Sequence, residues 1–188
     1  MVAEGDNMSS NSYTQAQLSF TKNCLFDALL ELMQTKPLAQ ITVRELTENA
    51  GVSRSSFYRN YSRITDIIVE FLDEKPMGWT RDISPDDYSA YDVTKGYFEY
   101  LTANKLFFET LYRQNSLYFL LDEINLVFRG VFLPFVEKFG FHSKYEVSCF
   151  IGTVYQVTYD WIAGGMQENL DEMIELSTRL ITPFANKE

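Results

Sequence analysis

Thr42-Val43-Arg44-Glu45-Leu46, followed by Ala50-Gly51-Val52-Ser53-Arg54-Ser55-Ser56-Phe57-Tyr58-Arg59-Asn60-Tyr61, spells two short helices and a tight turn between them. Thr42 to Glu45 has the spacing of a capping box, in which the Thr hydroxyl accepts from the Glu45 amide and Glu45 returns to the cap. The helix it opens stops early, because Gly51 supplies a left-handed position at its C-terminal end. Ser53 caps the next helix only three residues after Ala50. Leu46 and Val52 are placed to pack the two helices together. The second helix exposes Arg54, Ser55, Ser56 and Arg59. Short hydroxyls let a helix lie close to a groove floor, and Arg bridges to guanine or phosphate. The segment reads as a helix-turn-helix with Ser53 to Asn60 as its reading helix.

Around it the chain has helical period almost throughout, and no alternating run with hairpin turns. Leu18, Leu25, Ala28, Leu29, Leu32 and Met33 give a first helix one apolar face, ended by Pro37. A fourth helix follows Ser62, with Ile64, Ile67, Ile68, Phe71 and Leu72 on its buried side. Residues 1–14 are polar and expected to be a disordered tail. Between Lys75 and Asp92, Pro76, Gly78, Pro85 and four aspartates break the pattern, marking a junction between a domain of residues 15–75 and one of residues 76–188. The latter is expected to hold helices over 92–103, 104–112 and 116–139, the last kinked at Pro134. Ser143 opens a further helix that runs to Gly164-Gly165, and Asn169 caps the final one. The expected class is all-α, with about nine helices.

Of the 188 residues, 46% are hydrophobic and 22% charged, a composition that can bury a core. The net charge of -10 argues against a polybasic protein held to nucleic acid by bulk attraction. Its distribution is uneven. From Ile41 to Thr65 four arginines stand against two glutamates, a net +2, so the rest of the chain carries -12. Cys24 and Cys149 both lie in apolar helical patterns, where free thiols are expected and a disulfide framework is not. The N-terminus lacks the basic and apolar regions of a signal peptide. The apolar run from Leu117 to Phe135 is cut by Asp122, Glu123 and Arg129, too many charges for a membrane span. A soluble, cytoplasmic protein without membrane partners is expected.

The segment from Ile41 to Tyr61 resembles the N-terminal domain of TetR/AcrR-type regulators, over roughly residues 15–75. The resemblance implies an all-α homodimer whose two reading heads meet a palindromic double-stranded DNA operator. It implies that Thr42 and Tyr58 contact phosphates, that Arg54, Ser55 and Ser56 face base edges, and that Phe57 packs inward. Lys22 matches a position where the family often has Arg. Arg44, Ser53, Arg59, Asn60 and Arg63 complete the candidate DNA-contacting set. Two departures stand out: Pro37 replaces a usual Gly, and Ile64 replaces a usual phosphate-contacting Lys. Arg63 sits beside Ile64. Tyr61 reads as core, since the fourth helix must pack beneath it.

The C-terminal part is rich in aromatic residues, most of them explained as core by helical spacing alone. The resemblance implies an unknown small-molecule effector bound among these helices, and Tyr97, Tyr100, Phe108, Tyr112 and Phe128 are candidates for its lining. The helix from Ser143 to Gly164 is apolar on two faces and needs covering on both. A second subunit is the simplest cover, so Val147, Phe150, Ile151, Val154, Thr158, Trp161 and Ile162, with Met173 and Leu180 of the last helix, are the expected dimer interface; the alternative is a helix central within its own domain. Gly152 would allow a crossing helix to approach closely. With His142 as its one histidine and two scattered cysteines, the chain offers neither a zinc site nor a Cys-His catalytic pair. No cofactor, metal or catalytic residue is expected. The functional expectation is a ligand-responsive DNA-binding regulator, by family habit a repressor. The alternative is a TetR-like interaction module whose C-terminal half docks a protein partner.

Overall fold

Residues 5–74, 89–129, 140–141 and 143–185 are described in the computed structural model of the chain. Among the described residues there are nine α-helices, one 3-10 turn and no strand, as the helical periodicity predicts. The helices are α1 (Gly5–Thr35), α2 (Val43–Asn49), α3 (Arg54–Asn60), α4 (Thr65–Glu74), α5 (Ala90–Ala103), α6 (Lys105–Arg113), α7 (Tyr118–Arg129), α8 (Lys144–Ala163) and α9 (Leu170–Ala185). The chain divides into two compact units, Met1–Phe71 and Leu72–Glu188.

In the N-terminal unit, Leu25, Leu29 and Met33 of α1 meet Leu46 of α2, Phe57 of α3 and Ile67 and Ile68 of α4 in one buried core. Each such side chain contributes about 1.5–3 kcal/mol on leaving water. Phe26 stacks on Phe71 with ring centroids 4.0 Å apart. The α2 cap forms as expected, Thr42 Oγ1 accepting from the Glu45 amide at 3.2 Å. The Glu45 carboxylate is instead gripped by Lys36 Nζ at 2.8 and 3.0 Å. That hydrogen bond, more than the Thr42 amide, holds the Glu45 carboxyl below its ordinary range. Gly51 adopts φ +66° with open space where a Cβ would stand, so a side chain there would be opposed by backbone strain rather than by a neighbour. Helix α1 already runs from Gly5, inside the stretch read as a tail. Once turns near Leu25 are packed, each further residue costs little to add.

In the C-terminal unit, α9 lies along α5, while α8 packs against both α6 and α7. Phe98, Leu101, Phe108, Leu111, Ile124, Phe150 and Ile162 are buried there. Ser143 opens α8 as expected, through a capping box with Glu146. A second one, Ser89 with Asp92, starts α5; hydrogen bonds from Ser89 hold the Asp92 carboxyl below its ordinary range. Asn169 Oδ1 accepts from the Asp171 amide at 2.8 Å at the start of α9. Helix α7 is described to Arg129; the expected continuation to Phe139, with its kink at Pro134, lies outside the described residues, as do the junction at 75–88 and His142.

Candidate nucleic-acid interface

Helix α3 is short because both ends are fixed. Ser53 Oγ accepts from the Ser56 amide at 3.0 Å, and Tyr61 leaves the helix in extended conformation. Phe57 is fully buried, which anchors one side of the helix to the core and turns the opposite side to solvent. Arg54, Ser55, Tyr58 and Arg59 are all exposed on it, and Tyr58 keeps 62% of its surface. Arg54 and Tyr58 are one turn apart, as are Ser55 and Arg59, so they form two neighbouring rows.

The remaining candidates divide. Thr42 is exposed beside its cap. Arg44 pairs with Glu48 at 2.8 Å on an open surface, and that pairing raises its guanidinium pKa. Such exposed pairs are worth little and exchange readily for a phosphate. Arg63 is exposed, with Nε 3.4 Å from Asp66. Asp66 Oδ2 already accepts the Ser62 and Arg63 amides at 2.9 and 2.8 Å, so an anion arriving at the start of α4, where Ile64 replaces the usual Lys, would meet a carboxylate. Ser55 and Ser56 direct their hydroxyls at Ser53 Oγ, at 2.8 and 2.9 Å. The Asn60 side-chain amide donates to the Ser56 carbonyl at 2.7 Å.

Lys22 is placed differently from its sequence-based assignment. Its ammonium binds Glu70 of α4, and the Tyr61 hydroxyl donates to the other oxygen of the same carboxylate. Glu70 thus ties α1, the exit of α3 and α4 together. Lys22 serves this tie, and Tyr61 is buried as read from the sequence. Glu70→Ala removes a charged acceptor from both groups and should cost about 1–3 kcal/mol. Urea unfolding measures it; an unchanged midpoint would show that the tie contributes nothing.

Comparison with known proteins agrees with this geometry. Residues 25–71 match the family described as "Bacterial regulatory proteins, tetR family". Residues 89–183, just over half of the chain, match "Transcriptional regulator C-terminal region" of TetR type. The chain belongs to the TetR family of transcriptional regulators. It is therefore a DNA-binding regulator rather than an enzyme. A solved structure, "Dihydroxyacetone kinase operon activator DhaS", has a similar fold, with a TM-score of 0.59 and 19% identity over 87% of this chain and 94% of that one. No curated protein matches the chain in sequence. Among the described residues, no helix is long and apolar enough to cross a membrane.

For a TetR-family C-terminal unit the aromatic candidates are informative. The Tyr97 hydroxyl is hydrogen-bonded to Thr158 Oγ1 at 2.9 Å, and burial pushes its pKa up. Tyr100 lies edge-on to Phe108 at 5.5 Å, with its hydroxyl buried and unpartnered. Tyr112 meets Tyr159 on α8, also at 5.5 Å. The Phe128 side chain lies outside the described residues. Sequence reasoning missed Glu123, which is 6% exposed. Burial first, and the Asp73 charge second, raise its pKa. Its signal was visible as an acid inside an apolar run.

Most residues of the expected dimer interface are covered within the single subunit. Val147, Phe150, Ile151, Thr158, Trp161, Ile162 and Met173 are all buried within the single subunit. Val154 is half-buried and Leu180 exposed. Both apolar stripes of α8 are largely covered inside the subunit, with Val154 and Val157 half-buried, where α6 and α7 pack against it. Besides Lys144, Asp160 and Ala163 near its ends, α8 shows Tyr145, Ser148, Cys149, Gly152, Thr153 and Gln156 to solvent, mostly small residues at helical spacing.

Proposed function

We propose that this TetR-family chain is a cytoplasmic homodimeric repressor that holds a palindromic operator and is released by a small-molecule effector. The observation that carries the reading is the outer side of α3, where Arg54, Tyr58 and Arg59 stand exposed over the buried Phe57. Two such helices, spaced roughly 34–36 Å apart by a two-fold axis, would enter successive major grooves. The dimer would pair through the open side of α8 around Cys149, Gly152 and Thr153, joined by Leu180 of α9. Apart from its own helix backbone and chain neighbours, no atom of the described residues comes within 4 Å of a Cβ built on Gly152, which leaves room for a second helix backbone. Effector binding shifts the heads only if the effector prefers the DNA-incompetent arrangement.

The chain's own upstream intergenic DNA, titrated in gel shifts at two salt concentrations, tests the reading. A specific, salt-sensitive shift is expected. A dimer that gives no specific shift at low salt overturns it and favours the protein-docking alternative. The pairing face is checked with a bismaleimide cross-linker. Cys149 is exposed, so a cross-linked dimer should form and disappear in Cys149→Ser. A reporter fused to the operator gives the sign of regulation; the likeness to DhaS, at 19% identity, speaks for fold alone.

A further inference from the structure

In the C-terminal unit, Glu123 Oε1 on α7 and Tyr100 Oη on α5 are buried and have no hydrogen-bond partner. Native interiors leave few polar atoms unmatched, and a buried acid is among the costliest to leave so. Among the described residues no cation pairs with Glu123. The charged group that acts on it is another acid, Asp73. Glu123 in turn acts on the Tyr100 phenol, which places the two unmatched oxygens in one neighbourhood. The adjoining phenol of Tyr97 is already closed by Thr158 and offers nothing further. The Tyr100 ring and the fully buried Phe108 supply an aromatic wall.

The chemistry these groups lack can be stated. The Glu123 carboxylate accepts and the Tyr100 hydroxyl can accept or donate, so a partner that donates satisfies both. The unpaired Glu123 carboxylate favours a cation and repels an anion, and aromatic faces attract a cation further. A quaternary ammonium has no N–H for Glu123, and a neutral alcohol can donate to it but brings no charge to offset a buried acid. We propose that the effector is a small organic ammonium or amidinium compound with an apolar body, its N–H donors seated on Glu123 and Tyr100. This rests on the effector-responsive reading above.

The test uses the full chain and calorimetric titration with 2-phenylethylamine, benzamidine, 2-phenylethanol and 3-phenylpropionate. At least one of the two cations should bind, whereas the alcohol and the carboxylate should not. Loss of a charged acceptor in Glu123→Gln should weaken that binding roughly tenfold or more, and Tyr100→Phe should weaken it less. Without ligand, Glu123→Gln should melt no lower than the parent chain, since it removes an unpaired buried acid. The proposal is overturned if no cation binds, if the carboxylate binds better, or if Glu123→Gln binds the cation equally well. A much lower melting point for that variant would also overturn it, by making Glu123 a structural group. Gel shifts on the same preparations separate the two readings. An intact operator shift without cation binding overturns only the ligand assignment, and a missing shift overturns the repressor reading itself.

Discussion

Arg54→Ala should weaken operator binding by roughly 30-fold or more and leave the melting temperature where it was. Arg54 opens α3, is exposed, and has no ion pair among the described residues. A good arginine contact to a base edge is worth about 1–3 kcal/mol. In a symmetric dimer the substitution acts at both heads, for about 2–6 kcal/mol, or roughly 30-fold to 10,000-fold. The charge distribution makes the effect sharp. Within the +2 segment Arg44 is paired with Glu48 and Arg63 with Asp66, so Arg54 and Arg59 carry the remaining positive field. With -10 overall, little non-specific affinity remains to compensate. Titration at two salt concentrations sorts the role: a base contact lowers specific binding alone, whereas a phosphate contact also flattens the salt slope by about one unit per head. Unchanged binding with a lowered melting temperature would place Arg54 in the core instead.

Local chemistry explains what could be read in advance. Thr42, Gly51, Ser53 and Ser143 act on residues within five positions of themselves, so caps and turn are written in short strings, and the reading helix with them. The partner of Lys22 was hidden for the opposite reason: Glu70 is 48 residues away, and nothing nearby reveals it. The covering of α8 was hidden differently. Periodicity shows that α8 has two apolar stripes but not what covers them, and α6 and α7 cover what a second subunit was expected to. The exposed face, with Cys149, Gly152 and Thr153, carried a weaker signal, small size rather than hydrophobicity. Ser89 and Asp92 were hidden because their surroundings are rich in proline and aspartate, which read as a break rather than a start. Glu123 was legible as an anomaly, an acid amid Leu120, Leu121 and Ile124, yet its burial depends on tertiary packing.

Phe57→Ala should destabilise the N-terminal unit by about 3–5 kcal/mol, the usual cost of emptying a fully buried aromatic site. Phe57 is 0% exposed and meets the rings of Tyr58 at 5.2 Å and Tyr61 at 5.8 Å. The site is poorly able to collapse, because α3 is pinned at its start by the Ser53 cap and just past its end by Tyr61 bound to Glu70. The two units form separate cores, so calorimetry should show an early transition for the N-terminal unit while the C-terminal transition keeps its temperature. Operator binding should then vanish at temperatures where α3 has lost its seat, even though every DNA-facing side chain is still present. This contrasts with Arg54→Ala, which removes the contact and keeps the platform. A Phe57→Ala chain with an unshifted first transition would mean that the reading helix is held by its caps alone, and the buried ring would lose its part in aiming Arg54 and Tyr58.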